Sequence, residues 1–146
     1  MKIINEIDQY LHWHNSVNGE IGFVPTMGAL HEGHISLVKS SIKNNKFTVV
    51  SIFVNKRQFG KNEDFDKYPR THQDDIEALE KLKVDIVFIP KNNEIYSKEF
   101  STNIIEKSLS LKIEGQARPN FFSGVLTVVI LLFNIVRPSR AYFGEK

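Results

Sequence analysis

Two short apolar runs with a helical pattern between them constrain the fold more than any other feature of this sequence. The first covers residues 22–24, and the second, residues 47–54, is rich in β-branched and aromatic side chains. Apolar runs without polar alternation are typical of strands that are buried on both faces. Between the runs, Ile35, Val38 and Ile42 have the spacing of one helix face. The order strand, helix, strand predicts two parallel strands joined by a right-handed crossover.

The same alternation continues towards the end of the chain. Thr71 and Asp74 form a capping-box-like pair, and an apolar stripe after them predicts a helix that leads to a third strand at residues 85–89. A buried helix at residues 123–136 and a fourth strand at residues 141–143 follow. We therefore predict an α/β fold that is built on a doubly wound parallel sheet.

Two further segments have only local patterns. Ile3, Ile7 and Tyr10 fall on one helical face, which predicts an amphipathic helix over the first dozen residues. Residues 102–106 suit a short edge strand.

Composition limits the class of protein. The 146 residues are 41% hydrophobic, include no cysteine and carry a net charge of +2, which predicts one soluble domain, residues 1–146, without a disulfide framework. The lysines are scattered, so no nucleic-acid partner is expected. Acidic residues interrupt the N-terminus where a signal peptide would be apolar, and the run at 125–136 is shorter than the roughly 20 residues of a membrane span. We predict a cytoplasmic protein with no membrane partner.

The most informative motif is Val-Pro-Thr-Met-Gly-Ala-Leu-His-Glu-Gly-His at residues 24–34, where the first strand gives way to a helix. The first turn of a helix has unpaired N–H groups and a partial positive charge, which attract phosphate. His31 and His34 share one face of that turn, and Gly33 lets a ligand approach the backbone. The motif therefore predicts a nucleotide-phosphate site.

Two other interpretations of the histidine pair stay open at this point. The pair could ligate a metal, although the chain has no cysteine and no third histidine nearby. It could also be an ordinary helix start with surface histidines.

The whole stretch 24–34 resembles the opening motif of the pantothenate synthetases, a family of the nucleotidyltransferase superfamily that carries the His-x-Gly-His element. Further blocks that look like this family follow in the same order, at residues 50–55, 58–60, 62–66, 68–71, 114–115, 118–119, 124–125, 127–129, 132–136 and 142–146. The resemblance covers nearly the whole chain and implies a Rossmann-like fold of the nucleotidyltransferase type.

The resemblance also implies an ATP-dependent ligation in two steps. Pantoate would attack the α-phosphate of ATP to give pantoyl adenylate, and β-alanine would then displace AMP to form pantothenate. Such a reaction needs the reactants to be aligned and their negative charge to be stabilised by hydrogen-bond donors around the phosphates and by Mg²⁺. The resemblance further suggests a homodimer.

The family's pattern assigns roles to particular residues. It implies that His31, His34 and Lys146 are catalytic, and that Met27 and Gly144 complete the ATP site. The implied pantoate site consists of two amides and an apolar wall: Gln58, Asn55, Met27, Val128, Val129 and Phe143.

The remaining implied roles concern β-alanine and the metal. Gln58 and Arg118 would lie on the β-alanine side, and Asp74 would be the protein group near Mg²⁺. From the residues alone, Asp74 could equally be an acidic residue that stabilises the first turn of a helix.

Four positions depart from the family's pattern. Lys56 and Lys61 stand where the family usually has proline, so we expect the loop after the second strand to be less restrained than in its relatives. Phe121 replaces a histidine and Leu131 replaces a lysine, which removes a polar contact near the β-alanine side and one positive charge.

Family members continue beyond the Gly-Glu-Lys segment with the rest of the nucleotide domain and a small C-terminal domain, which this sequence does not include. Two hypotheses follow: a ligase that is seen as a fragment or completed by another chain, or an incomplete remnant that binds nucleotide or a partner without turnover. Another adenylyl- or cytidylyltransferase is a third. We expect the 146-residue chain to bind ATP weakly and to form pantothenate at no measurable rate.

Overall fold

A five-stranded, all-parallel sheet forms the centre of the computed structural model, which describes residues 1–61, 63, 65–68, 71–112 and 120–145. The strands are β1 (Lys2–Ile4), β2 (Ile21–Thr26), β3 (Phe47–Ile52), β4 (Ile86–Phe88) and β5 (Arg140–Ala141), and their order in the sheet is β1-β4-β3-β2-β5. The α-helices are α1 (Ile7–Ser16), α2 (Glu32–Asn44), α3 (His72–Lys81), α4 (Asn92–Ile95) and α5 (Phe121–Val136). Short 3₁₀ turns lie at Lys56–Gln58, Phe65–Lys67 and Leu109–Leu111.

Alternate side chains of the strands are buried on opposite faces, so the sheet has two apolar cores. One core joins the strands to α1 and α5 and includes Tyr10, Phe23, Val49, Phe88 and Leu132. The other joins them to α2 and α3 and includes Val24, Val38, Val50, Leu79 and Val87. Helices therefore cover both faces, which confirms the predicted doubly wound α/β fold.

The chain reverses its progress across the sheet at β2. Strands β2, β3 and β4 follow one another towards one edge, and α5 then returns the chain so that β5 pairs with the other side of β2. In open α/β sheets, ligands bind beyond the carboxyl ends of the strands at such a switch point. The motifs that follow β2 and β3 lie at this edge, as the sequence predicts. Of the third predicted segment, residues 144–146, Lys146 lies outside the described residues, so its convergence on the same edge stays a prediction.

The prediction of one helix over the first dozen residues is wrong. Lys2–Ile4 is an edge strand that pairs with β4, and the helix begins only at Ile7. The Lys2 N–H donates to the Asp85 carbonyl oxygen at 2.8 Å, and the Ile4 carbonyl oxygen accepts the Ile89 N–H at the same distance. A three-residue strand is too short to show a period of two, so the helical spacing of the neighbouring residues concealed it.

Three smaller predictions also need correction. Residues 102–106 do not form a strand. The last strand is Arg140–Ala141, which begins one residue earlier and ends two residues earlier than the predicted 141–143. Thr71 precedes α3, but its hydroxyl donates to the carboxylate of Asp75 instead of capping the helix backbone.

Among the described residues, none of the helices has the length and the apolar character that crossing a membrane requires.

Candidate functional site

A cavity of about 360 Å³ opens at the switch point, between the end of β2 and the first half of α5. Its lining combines the two histidines with an amide, a phenol and an apolar wall: Pro25, Thr26, Met27, His31, His34, Phe53, Gln58, Tyr68, Val125, Val128, Val129, Leu132 and Phe143. The predicted residues Met27, Gln58 and Phe143 lie in separate parts of the sequence and meet here.

The start of α2 holds both histidines through a reciprocal cap. His31 is the N-cap residue, and its Nδ1 accepts the Gly33 N–H at 3.1 Å. The Nδ1 of His34 accepts the His31 N–H at 3.3 Å. The two ring centroids lie 4.1 Å apart, with the rings tilted by 43°. The sequence His-Glu-Gly-His thus satisfies two otherwise unpaired donors of the helix start with its own side chains.

This cap determines which nitrogen of each ring can donate to a ligand. Because both Nδ1 atoms accept a backbone N–H, the neutral form of each ring carries its proton on Nε2. His31 and His34 therefore present two Nε2–H donors next to one another at a positive helix end. That pair of donors matches the oxygens of a phosphate group.

The two histidines differ in their burial and in their electrostatic environment. Burial lowers the pKa of His34 below its ordinary value, and the neighbouring His31 lowers it further, whereas the carboxylate of Asp75 acts in the opposite direction. His34 is half-buried and His31 is exposed. The neutral Nε2–H form of His34 is therefore favoured at neutral pH in the absence of a ligand.

Gln58 lines the cavity from the 3₁₀ turn after β3, and Asn55 stands behind it. The Asn55 side chain is buried and donates through Nδ2 to the Gln58 Oε1 at 2.9 Å and to the Gly124 carbonyl oxygen at 3.0 Å. Its Oδ1 accepts the Tyr96 hydroxyl at 2.8 Å. Protein groups thus occupy both ends of the Asn55 amide, and Asn55, predicted as a pantoate contact, is not among the described residues that line the cavity.

The apolar wall of the cavity comes from α5 and from the segment after β5. Val128 and Val129 lie on the helix face that meets the sheet, and Phe143 packs with its ring centroid 6.2 Å from that of Phe133. Phe143 is 53% exposed although it is aromatic. A large apolar side chain that is half-open to solvent at a cavity rim is typical of a ligand-binding wall.

The remaining predicted site residues are placed as follows. Gly144 follows Phe143 in the exposed segment after β5. Asp74 lies in the first turn of α3, where its side chain is exposed and is not among the described residues that line the cavity. Lys146 and Arg118 lie outside the described residues.

Sequence reasoning missed two polar residues of this region. Tyr68 lines the cavity, and its pKa is raised by burial and by the negative charge of Asp75. Asp75 itself is 3% exposed and points away from solvent towards the loop that precedes α2. The only signals in the sequence were the Tyr-Pro-Arg-Thr segment and the position of Asp75 four residues after Thr71.

The described residues contain no group of three or more His, Asp or Glu side chains that could hold a metal ion. Both carboxylate oxygens of Asp75 already accept backbone N–H groups. Asp74 is the exposed carboxylate beside it. Of these two adjacent carboxylates, Asp74 is therefore the one that is open to an incoming ion.

Comparison with known proteins shows the family of the chain. The sequence profile of the family described as Pantoate-beta-alanine ligase matches residues 1–146. The chain belongs to this family. A pantothenate synthetase of Pseudothermotoga lettingae is 53% identical over all of this chain and 53% of its own length. The pantoate–β-alanine ligase of Saccharomyces cerevisiae is 49% identical over all of this chain and 52% of its own length.

A solved structure of the same family has the same fold over this chain. The pantoate–β-alanine ligase of Francisella tularensis, complexed with beta-gamma ATP and β-alanine, superposes with a TM-score of 0.93 at 43% identity and covers 97% of this chain and 55% of the solved one. The present chain thus spans about half the length of the ligase family members that it matches.

Proposed function

We propose that this chain provides the ATP- and pantoate-binding part of a pantoate–β-alanine ligase. The observation that carries the proposal is the cavity at the switch point, where two Nε2–H donors, the Gln58 amide and an apolar wall meet. A triphosphate and a branched hydroxy acid need these three kinds of contact in one place. The relative from Francisella tularensis that is complexed with ATP and β-alanine supports the same assignment.

The proposed reaction has two steps. In the first, a carboxylate oxygen of pantoate attacks the α-phosphorus of ATP, the bond from that phosphorus to the bridging oxygen breaks, and pyrophosphate leaves. In the second, the amine of β-alanine attacks the acyl carbon, AMP leaves, and the nitrogen loses a proton. Charge moves onto phosphate oxygens in both steps, so fixed donors lower the barrier.

In this proposal, His31, His34 and Lys146 bind the phosphates, with Met27 and Gly144 completing the ATP site. Gln58 binds the polar atoms of pantoate, and Asn55 holds Gln58 in place. The apolar wall packs on the branched carbon of pantoate: Met27, Val128, Val129 and Phe143. Arg118 and Gln58 face β-alanine.

Mg²⁺ fits this site as a companion of ATP. It takes most of its ligands from phosphate oxygens and water and needs only one or two carboxylates. The exposed carboxylate of Asp74 meets that requirement, whereas both oxygens of Asp75 are occupied by backbone donors. Bound there, the ion would reduce the repulsion between the triphosphate and the pantoate carboxylate. A cytoplasmic homodimer completes the proposal.

Calorimetric titration of the 146-residue chain with MgATP tests the binding role. We expect weak but saturable binding that falls by about tenfold or more in His34→Ala, because a hydrogen bond to a charged group contributes about 1.5–3 kcal/mol. His12→Ala is the matched control, since His12 is an exposed histidine on α1 outside the cavity lining. The proposal fails if the chain does not bind ATP, or if both variants lose the same affinity. AMP release that depends on pantoate and β-alanine, measured on the same samples, shows whether these residues also suffice for turnover.

A further inference from the structure

The loop between β2 and α2 adopts a backbone conformation that its own sequence does not favour. Gly28 has φ +86° and Ala29 has φ +52°, so two consecutive residues lie at positive φ. Glycine adopts such angles freely, whereas alanine pays a steric penalty there. This loop leads directly into His31, so something outside it has to hold the conformation that places both imidazoles.

The carboxylate of Asp75 supplies that support. Its Oδ2 accepts the Ala29 N–H at 2.9 Å and its Oδ1 accepts the Leu30 N–H at 2.8 Å. The Thr71 hydroxyl donates to Oδ2 at 3.2 Å, which fixes the carboxylate from its own side. Asp75 is only 3% exposed, its bonds to the loop are part-buried, and charged acceptors make the stronger hydrogen bonds.

Gly28, which precedes Ala29 and Leu30, also lies close to the Asp75 carboxylate. A Cβ built on Gly28 would lie 3.1 Å from Oδ2 of Asp75 and equally close to the Ile52 side chain. The loop is thus packed closely onto the carboxylate. Because Leu30 is followed at once by the N-cap residue His31, a shift of the Ala29 and Leu30 amides would also move both rings.

We propose that Asp75 is the positioning residue of the phosphate-binding histidines: from α3, it fixes the backbone of Ala29 and Leu30 and so sets where His31 and His34 present their donors. The contact between Asp75 and the loop is independent of the proposed function, but the role that we assign to this contact rests on that function. An acidic residue in the first turn of α3 also stabilises that helix, yet exposed Asp74 can do this equally well. The bidentate contact to the loop belongs to Asp75.

The test is Asp75→Asn, which keeps the size of the side chain but leaves one acceptor oxygen and places an amide donor opposite a backbone N–H. Glu77→Gln, an exposed charge removal on the same helix, is the control. We expect the amides of Ala29 and Leu30 to exchange at least tenfold faster in Asp75→Asn and the affinity for MgATP to fall at least tenfold. In Glu77→Gln both should stay within twofold of the wild type.

A second substitution separates positioning from simple loss of stability. Ala29→Gly removes the steric penalty at φ +52°, so in the Asp75→Asn background it should recover at least threefold in MgATP affinity. A chain that was merely less stable would not recover affinity from an added glycine, because glycine raises the conformational entropy of the unfolded chain and so lowers stability further. Unchanged MgATP affinity in Asp75→Asn overturns the proposal, whether or not the amides loosen, and so does a double variant without recovery.

Two further outcomes matter: the Asp75→Asn variant does not fold, or the wild-type chain does not bind ATP. If Asp75→Asn does not fold, Thr71→Val removes only the supporting hydroxyl, and a smaller change in the same direction is expected; no change overturns the proposal. If the wild-type chain does not bind ATP, the proposed function fails, and the exchange of the Ala29 and Leu30 amides decides whether Asp75 holds the loop. These amides should exchange at least tenfold faster in Asp75→Asn and within twofold of the wild type in Glu77→Gln, and unchanged exchange in Asp75→Asn overturns the inference.

Discussion

The two imidazoles at the start of α2 share one helical turn but not one environment. His31 is exposed and caps the helix, whereas His34 is half-buried between His31 and the loop that Asp75 holds. Burial and the neighbouring ring both act against a positive charge on His34. The proposed phosphate site would thus keep one of its donors neutral until the ligand arrives, and the ligand's charge would then favour protonation.

At this scale we predict that His34 titrates below the ordinary histidine range, and that His31→Asn raises its pKa. Asparagine is a good N-cap residue, so the helix start is preserved while the charge that disfavours protonation of His34 is removed. Because burial remains, the pKa of His34 should stay below its ordinary value in the variant. Proton NMR of the ring C–H resonances between pH 4 and 9 measures both values, with His12→Asn as the distant control. An unchanged His34 titration in His31→Asn would mean that the two rings do not interact electrostatically.

Among the elements, the contact between α5 and the 3₁₀ turn after β3 determines where Gln58 lies. A Cβ built on Gly124 would be 2.3 Å from the Arg57 carbonyl oxygen, so the turn lies directly on the helix backbone. The Asn55 and Tyr96 side chains tie the same turn to α5 and to the residue after α4. The family's proline is replaced by Lys56 at this turn, and side-chain hydrogen bonds provide a restraint here. Whether the loop as a whole is looser than in relatives stays a prediction.

We predict that Gly124→Ala displaces this turn and disturbs the position of Gln58. The nearest atoms are backbone atoms that cannot rotate away, so the free energy of unfolding should fall by about 1–3 kcal/mol, as for other overpacked sites. Urea denaturation measures this change, and NMR titration with pantoate should show weaker binding. Gly60→Ala is the control, because among the described residues a Cβ there meets the flexible Glu63 side chain at 3.9 Å, and its effect should stay within about 0.5 kcal/mol. Equal stability of the two variants would contradict the close contact.

At the scale of the whole molecule, the sequence was sufficient to predict elements that depend on neighbouring residues. It was insufficient to predict contacts between segments that are far apart along the chain. The strands β2 and β3 and the helix start at His31 were predictable, because apolar runs and capping residues act within a few positions. The edge strand β1 was not, since three residues carry no period and their partner is β4.

The polar part of the site shows the same division. His31, His34 and Gln58 were recognised by motif and do line one cavity. The contact of Asp75 with the loop was out of reach, because its bonds to Ala29 and Leu30 join residues 46 and 45 positions apart. The buried position of Asn55 was equally out of reach, because its amide bonds to the Gly124 carbonyl oxygen 69 residues away. Which of two adjacent carboxylates faces the loop, Asp74 or Asp75, is decided by the rotation of α3 against the sheet.

The pairing of β5 with β2 also has a consequence for the order in which the molecule assembles. The two strands meet at only two pairs of residues, and the Ile21 N–H beside them donates to the hydroxyl of Ser139, 118 residues further along the chain. Contacts that close such a long loop form late, because the entropy of closure is lost before the contacts compensate for it. The histidine end of the cavity can therefore be complete while the wall that contains Phe143 is still absent.

Refolding followed by pulsed hydrogen exchange reveals this order. The Tyr142 N–H, which donates to the Phe23 carbonyl oxygen at 2.9 Å, should gain protection after the amides of β3 that pair with β2. Simultaneous protection would show instead that the sheet forms in one step. On the expected order, a growing chain acquires the part of the cavity that holds His31 and His34 first, and the wall that contains Phe143 is built last.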